Sequence, residues 1–316
     1  MTTKATFFND VVKGLKASPK YLLSKYFYDA NGDALFQQIM DAPEYYVTNA
    51  DLEIFSHQSD ALAKTLVNGD QNFEILELGA GDASKSTYLL QSLTDAQKKY
   101  TYRPIDISDS IIDFLQSEMP KRVSGIVVSG LAGEYLPMLK QAYAESAKKK
   151  LLLFLGSSIG NYELDEAQQF LKQVYQIMQP GDLILVGFDL KKDPNQILAA
   201  YNDAAGYTKA FNLNLLTRIN SELGANIDVD AFDHFPTYNP MTGACRSYLV
   251  SKKNQIIKIP GVAAIAVARH EAIDMELSQK FSIGDIDAMA SALGFLPKPY
   301  FFDKRGWYCN ATWEKK

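Results

Sequence analysis

Two glycines and one carboxylate, Gly79, Gly81 and Asp106, have the types and spacing to hold a nucleoside. An apolar run at 73–78 ends at a Gly-Ala-Gly turn, and a segment with helical periodicity follows. Because glycine has no Cβ atom, a ligand can approach the backbone closely at this turn. Asp106 ends the next predicted strand, where a carboxylate can accept hydrogen bonds from both hydroxyls of a ribose. The pattern predicts an adenosine ligand, while the glycine turn alone is also compatible with a plain strand–helix junction.

The loop after the glycines helps to decide between two candidate adenosine cofactors, NAD and S-adenosylmethionine. The dinucleotide pattern G-x-G-x-x-G needs a third glycine where this chain has Ser84. Asp82 lies in the same loop, and its charge would repel a pyrophosphate but tolerate a sulfonium. The loop therefore favours S-adenosylmethionine, and its apolar-Glu-apolar-Gly-x-Gly pattern resembles motif I of class I methyltransferases. An NAD-dependent oxidoreductase stays open as an alternative.

Composition narrows the class of protein. The chain has 316 residues, 47% of them apolar, which is enough for a large core and favours two lobes. A formal net charge of -5 argues against a nucleic-acid partner, and so against an RNA-modifying or purely binding role. Cys245 and Cys309 are far apart, and the three histidines show no metal-ligand spacing, so no metal is expected.

Hydropathy gives the expected location. No apolar run approaches the roughly 20 residues that a membrane-spanning helix needs. The first residues, MTTKATFFNDVVKGLKAS, lack the continuous apolar segment of a signal peptide. We therefore expect a cytoplasmic protein with no membrane partner, and we expect a monomer.

Strands and helices are predicted to alternate from about residue 73 to residue 190. The predicted strands are 73–78, 100–108, 125–130 and 182–190, and residues 148–161 are predicted to be a buried strand that ends in a loop. The predicted helices are 48–67, 84–93, 108–119 and 165–179. Continuous apolar strands indicate a parallel sheet covered by helices on both faces. Beyond residue 191 the pattern changes to helix at 195–224, antiparallel strands at 244–279, helix at 285–293 and a last strand at 306–312.

The predicted fold class is α/β, a class I methyltransferase Rossmann-like doubly wound sheet with an inserted α+β substrate-binding domain. The S-adenosylmethionine-binding domain is predicted to comprise residues 50–191 and 280–316. The substrate-binding domain is predicted to comprise residues 1–49 and 192–279.

Further segments together identify a family. In chain order the motifs are FYDA..GD.LF, PEYY.T, ELGAG...K, FLGS.IGN, AY.DAAG.T.AFN and E.S.KF. This ordered set, from about Pro19 to the C-terminus, resembles the histidine-specific Nα-methyltransferases of ergothioneine biosynthesis. Fungal enzymes that methylate a prenylated tryptophan belong to the same wider family. Tryptophan, a prenylated tryptophan or another amino acid is therefore the alternative substrate.

The resemblance implies a role for particular residues. The implied cofactor contacts are Gly79, Gly81, Lys85 and Asp106. The groups implied to hold the α-amine and α-carboxylate of the substrate are Tyr45, Asn161 and Tyr201, and Tyr28 is the tyrosine near the reacting amine. The implied imidazole-binding pair is Glu276 and Ser278. Three positions depart from the family. Leu131 and Ala132 stand where the family typically has Asp-Phe against the adenine, and Ser247 aligns with a methionine of the substrate pocket.

Glu276 and Ser278 are two residues apart and so share one face of a strand. An imidazole offers an N–H donor to the glutamate and a nitrogen acceptor to the serine, whereas an indole offers only a donor. The expected reaction is methyl transfer to the α-amine of histidine, continuing to the trimethylated betaine. Tyr28, Asn161 or an ordered water is expected to receive the amine proton.

Ordinary structural roles are possible for the same residues. Tyr45 next to Pro43 also suits a simple turn, and Asn161 after a buried strand also suits a helix cap. Glu276 in an alternating strand also suits a solvated face. The resemblance is what favours the functional reading at these positions.

Overall fold

A computed structural model describes residues 4–67 and 72–316 of the chain. Residues 1–3 of the predicted substrate-binding domain and residues 68–71 of the predicted cofactor domain lie outside the described residues. The α-helices in the described ranges are α1 Lys4–Lys16, α2 Ala30–Asp41, α3 Tyr46–Leu66, α4 Ser86–Asp95, α5 Asp109–Arg122, α6 Tyr135–Glu145, α7 Leu164–Ile177, α8 Pro194–Ala200, α9 Tyr207–Leu223 and α10 Ile283–Leu293.

The strands of the same ranges are β1 Lys20–Tyr21, β2 Phe73–Leu78, β3 Tyr100–Asp106, β4 Val127–Val128, β5 Leu131–Ala132, β6 Lys149–Phe154, β7 Leu183–Asp189, β8 Phe232–Tyr238, β9 Ala244–Ser251, β10 Gln255–Ile257, β11 Ile265–Val267, β12 Ala272–Gln279, β13 Phe295–Phe302 and β14 Tyr308–Lys315. Short 3₁₀ helices span Ser24–Tyr26, Ser158–Asn161 and Val229–Ala231. In the part of the chain that the structure describes, no helix has both the length and the apolar character to cross a bilayer.

The described chain forms two compact units. The first, here called the sheet unit, comprises Val47–Lys191 and Gln279–Lys316. The second, here called the insert unit, comprises residues 4–46 and Lys192–Ser278.

The sheet unit is built on one large mixed sheet with strand order β13-β14-β7-β6-β2-β3-β4, and β5 continues beside β3. Strands β2, β3, β4, β5, β6 and β7 pair in parallel, while β14 and β13 add two antiparallel strands at one edge. The chain runs from β2 outward to β3 and β4, then returns to the other side of β2 as β6 and β7. This reversal is the switch point of a doubly wound sheet, and the predicted fold class is confirmed.

Burial on both faces explains the continuous apolar strands. All six residues of β2 are buried, and the neighbours Ile75 and Leu76, which face opposite sides, are both fully buried. One face packs in a single cluster with α6, α7 and α10, through residues such as Leu139, Leu171 and Met289. The predicted strand at 73–78 is observed at the same residues.

The insert unit has its own core. Its four-stranded sheet has the order β1-β12-β9-β8, and β10 pairs with β11 in a separate antiparallel hairpin. Helices α1 and α9 pack with this sheet in a cluster that includes Phe7, Leu215, Leu249 and Ile273. The antiparallel strands predicted in 244–279 are observed as β9 to β12, whereas β8 was not predicted.

The chain leaves and re-enters the sheet unit at adjacent points. Leu190 forms a parallel bridge with Phe281, and the Lys191 N–H donates to the Phe281 carbonyl at 2.8 Å. Beside this bridge the Lys280 ammonium lies 2.7 Å from the Asp189 carboxylate, and both side chains are 0% exposed. The two ends of the insert's second segment are therefore held together inside the sheet unit.

The Lys280–Asp189 pair gives a stability prediction. Lys280→Met leaves a buried carboxylate without this counter-charge, so the free energy of unfolding should fall by about 3–5 kcal/mol. Lys253→Met is the matched control, because Lys253 pairs with Asp228 at the surface, where the loss should stay below about 1 kcal/mol. Denaturant unfolding of both variants measures the difference, and equal losses would show that the buried pair is not a major constraint.

Candidate active site

The glycine turn lies at the carboxyl end of β2. Gly79 and Gly81 have φ angles of +70° and +52°, in the left-handed region that favours glycine. A Cβ atom added at Gly79 would lie 2.6 Å from the Tyr135 hydroxyl oxygen, whereas one at Gly81 would meet nothing within 4 Å. Gly79 therefore makes room for a neighbouring side chain, and Gly81 leaves the backbone open to a ligand.

Asp106 is brought to the glycine turn by strand pairing. It is the last residue of β3, which pairs with β2, and its Oδ2 atom accepts from the Gly81 N–H at 3.4 Å. Its Oδ1 atom accepts from the Ser108 N–H at 3.0 Å, which fixes the plane of the carboxylate. The side chain is half-buried, and two carboxylate oxygens have lone pairs for further donors such as ribose hydroxyls.

The loop between the turn and α4 suits a sulfonium cofactor better than a pyrophosphate. The Asp82 carboxylate accepts from the Ser84 N–H at 3.0 Å, directly before the helix. A pyrophosphate bound at a helix start needs such N–H groups for itself, and here a fixed negative charge already occupies one of them. The residues present fit S-adenosylmethionine, which has no pyrophosphate, and Asp106 would hold its ribose.

Leu131 and Ala132, which stand where the resembled family typically has Asp-Phe, lie beside this site. These two residues form β5, which pairs with Ile105 and Asp106 at the end of β3. Leu131 is buried and Ala132 is exposed, so neither brings a polar side chain toward the ribose position.

Tyr135 is a residue of this site that the sequence analysis missed. Its ring packs edge-on against Phe154 and Phe170, and its hydroxyl lies over Gly79. In the described ranges this hydroxyl has no hydrogen-bond partner. Burial raises the pKa of Tyr135, and Tyr162 and Asp106 raise it further, so the hydroxyl keeps its proton and can donate. An aromatic residue soon after Gly133 was the only signal, and α6 itself was not predicted.

The loop after β6 carries Asn161. Gly156 and Ser157 both have left-handed backbone conformations, and the Ser157 hydroxyl accepts from the Asp189 N–H at 3.2 Å. The loop then forms the 3₁₀ helix Ser158–Asn161, which leaves Asn161 exposed at its end. The buried bonds of the loop therefore fix the backbone that presents this amide.

Lys85 precedes the first turn of α4. Its ammonium pairs at 3.0 Å with the carboxylate of Asp51, which is fully buried, while the Lys85 side chain keeps 24% exposure. Glu77, inside β2, is also buried and accepts from the Tyr102 hydroxyl at 2.5 Å. Burial raises the pKa of Glu77 to about 7.

In the insert unit, β12 presents the predicted imidazole pair. Ile273 and Met275 point into the core, so the alternate residues Glu276 and Ser278 share the other face. Glu276 is half-buried and Ser278 is 7% exposed. The two side chains therefore lie on one polar face of a strand, as the spacing predicted.

Three of the predicted substrate residues are neighbours in the insert unit. The Tyr201 hydroxyl donates to the Ser278 hydroxyl at 2.6 Å in a buried bond. The Tyr45 and Tyr201 rings meet edge to face with centroids 6.2 Å apart. Three side chains that were predicted from distant segments are thus neighbours, two through their hydroxyls and two through their rings.

Tyr28 has a different environment in the same unit. Its side chain is 48% exposed, and its ring lies edge-on to Phe36 and to Phe211, with both centroid distances 5.6 Å. The following residue, Asp29, accepts from the Gly32 N–H at 2.7 Å and from the Asn214 amide at 2.8 Å. The FYDA segment is therefore anchored to α9, with the Tyr28 ring partly open.

Ser247 does not share the face of Glu276. Its neighbour in sequence, Arg246, forms an ion pair at 2.8 Å with Asp274, which is on the Glu276 face of β12. Ser247 therefore points to the opposite side of the sheet, where it is 1% exposed and paired in register with Pro236. A substrate-lining role for this position is not supported by the strand geometry.

Comparisons with known proteins point to one family. The model of a family described as histidine-specific, S-adenosylmethionine-dependent methyltransferases matches residues 7–315. The Histidine N-alpha-methyltransferase of Mycolicibacterium smegmatis is 32% identical over 303 residues, with 94% of this chain and 91% of that protein covered. The enzyme of the same name from Mycobacterium tuberculosis is 32% identical over 299 residues, with the same shares covered. Ergothioneine biosynthesis protein 1 of Neurospora crassa is 29% identical, and the match covers 88% of this chain but 31% of that protein.

The raised pKa of Glu77 gives a prediction about pH. The folded protein holds this proton up to about pH 7, whereas an unfolded glutamate loses it near 4.5, so stability should fall as pH rises between these values. The loss should be about 3 kcal/mol. Glu77→Gln keeps an acceptor for Tyr102 without a charge, so its stability relative to the native chain should rise by that amount across the window. Urea unfolding at several pH values tests this, and a difference independent of pH would contradict it.

Proposed function

The chain belongs to the family of histidine-specific, S-adenosylmethionine-dependent methyltransferases, and we propose that its methyl acceptor is the α-amine of L-histidine. We propose further that transfer is repeated until the trimethylated betaine forms. The observation that carries the substrate assignment is the polar face of β12, where Glu276 and Ser278 stand side by side and Tyr201 bonds to the serine.

The ring-binding role follows from donors and acceptors. Glu276 can accept the N–H of an imidazole. Because the Ser278 oxygen accepts from Tyr201, the serine can direct its own proton to the second imidazole nitrogen. An indole would leave the serine without a bonding role, and a buried unmatched hydroxyl lowers affinity, so the pair favours histidine over tryptophan.

The amino-acid end of the substrate is assigned to the remaining polar groups. Tyr45 supplies a hydroxyl donor suited to a carboxylate, and its ring lies edge to face with the ring of Tyr201. The Tyr201 hydroxyl gives its proton to Ser278, so toward the amino-acid end it offers lone pairs, which suit an amine N–H. Asn161 offers both an amide donor and a carbonyl acceptor, so it suits an ammonium or amine. Tyr28, partly open at its ring, is the proposed partner of the reacting amine.

On the cofactor side, the open backbone at Gly81 and the carboxylate of Asp106 would hold the nucleoside. When bound, S-adenosylmethionine supplies a methyl group on a positively charged sulfur, and the charge passes to the acceptor nitrogen. The task of the protein is mainly to orient the neutral amine, which can contribute roughly 7–11 kcal/mol in favourable cases. Each methylation removes an N–H, so groups that hold the amine must tolerate fewer donors in every round.

The proposed function is tested by product analysis. Purified protein is incubated with S-adenosylmethionine and, in turn, histidine, tryptophan, a prenylated tryptophan and other amino acids. Mass spectrometry should find mono-, di- and trimethylated histidine and no methylated tryptophan. Methylation of tryptophan in preference to histidine would refute the substrate assignment, and accumulation of monomethylhistidine alone would refute repeated transfer.

The imidazole role of Glu276 predicts a split between two affinities. Glu276→Gln removes the charge that accepts the ring N–H, so the KM for histidine should rise about ten-fold or more. The Kd of S-adenosylhomocysteine, measured by calorimetry, should change less than about two-fold, because the cofactor contacts are untouched.

Two controls define the meaning of this result. Glu271 lies just before the same strand, and its carboxylate pairs with Lys20. Glu271→Gln removes this charge and should leave both affinities unchanged. Asp106→Asn should show the reverse split, with cofactor affinity lost first. A parallel loss of both affinities in Glu276→Gln would contradict a ring-binding role.

A further inference from the structure

Asp51 is a fully buried carboxylate in the second turn of α3. In the sequence it reads as an acid placed favourably near the start of a helix. The structure instead turns its side chain into the sheet unit, where it is 0% exposed. A buried charge needs partners, and the partners of Asp51 come from three separate segments.

Each partner of Asp51 belongs to a different element. The Lys85 ammonium, just before α4, lies 3.0 Å from its Oδ2 atom. The Gly156 N–H, in the loop after β6, donates to the same oxygen at 3.2 Å. The Asn310 amide, on β14, donates to Oδ1 at 2.9 Å. One carboxylate therefore links the glycine-turn region to the loop that carries Asn161.

The Lys85 ammonium is also positioned from a second side. A Cβ atom added at Gly156 would lie 3.1 Å from the Lys85 Nζ atom, so a larger residue would crowd the ammonium. A lysine side chain is otherwise flexible, and a defined position for its charge needs such constraints. Since an ammonium has three N–H donors and Asp51 takes one, Lys85 can still bond to an anionic ligand.

We propose that Asp51 is a positioning residue for cofactor binding, holding the Lys85 ammonium where it meets the carboxylate end of the cofactor. The proposal rests on the proposed function, which places Lys85 among the cofactor contacts. Asp51 itself touches no ligand and acts through Lys85, while the Gly156 N–H holds the Asp51 carboxylate in place. Without Asp51 the ammonium would lose its anchor and sample other positions.

A purely structural brace makes a different prediction. If Asp51 only links α3, the loop after β6 and β14, its replacement lowers the free energy of unfolding, and the folded fraction binds cofactor normally. Asp182 supplies the matched comparison, because it is 1% exposed in the same unit and accepts from Tyr143 and from the Lys150 N–H. Within the described residues, Asp182 makes no contact with Lys85.

The experiment is a double-mutant cycle on cofactor affinity in the full chain. Asp51→Asn keeps the size of the side chain but removes its charge, and calorimetry with S-adenosylhomocysteine should show Kd raised about ten-fold or more. Asp182→Asn should change Kd less than about two-fold. In a Lys85→Met background, Asp51→Asn should have little further effect, because its action through Lys85 is already lost.

The outcomes separate this proposal from the proposed function. An equal loss from Asp51→Asn with and without Lys85 would overturn the positioning role, and so would a normal Kd in Lys85→Met. If Asp51→Asn does not fold, Gly156→Ala tests the same ammonium from its other side, and an unchanged Kd there would overturn the proposal. A native chain that binds no S-adenosylhomocysteine and methylates no amino acid would instead refute the proposed function.

Discussion

The ion pair between Lys280 and Asp189 is the constraint on which the arrangement of the chain depends. Two fully buried charges are favourable only when further bonds support them. The backbone that carries the Asp189 carboxylate is fixed as well, since its N–H donates to the Ser157 hydroxyl and its carbonyl accepts from the Phe281 N–H. The same residue thus ties the re-entry of the chain to the loop that carries Asn161. Closure of the insert and placement of a candidate site residue are parts of one buried network.

The fold was predictable where burial leaves a simple pattern. Continuous apolar runs such as 151–154 in β6 can only be buried on both faces, and this predicts a parallel sheet. Two of the strands that escaped prediction, β8 and β13, lie at the ends of their sheets and contain prolines, Pro236 in one and Pro297 in the other. Proline is compatible with an edge strand but reads in sequence as a break. Helix α6 was missed for a related reason, because Pro137 sits in its first turn.

The candidate site was predictable in part. Neighbouring parallel strands end at one edge, so the proximity of Asp106 to Gly81 follows from strand order alone. The contact between Tyr201 and Ser278 joins residues 77 positions apart, and no local pattern indicates it. Only the family resemblance placed these residues together. Asp51 escaped notice because an acid near a helix start already has a sufficient explanation in the helix dipole.

The motifs contain residues proposed to bind the substrate and residues that only stabilise the backbone. Telling the two kinds apart bears on the mechanism. Asp29 and Asp203 stand beside Tyr28 and Tyr201 in their motifs and look like general bases. Asp29 instead binds Gly32 and α9, and Asp203 accepts the N–H groups of Tyr207 and Thr208 at the start of α9. Burial alone would raise the pKa of Asp203, but the bonds from Thr208 and the backbone hold it below its ordinary value. A carboxylate so committed is a poor proton acceptor, which supports the proposal that the amine proton passes to a neutral group or to water.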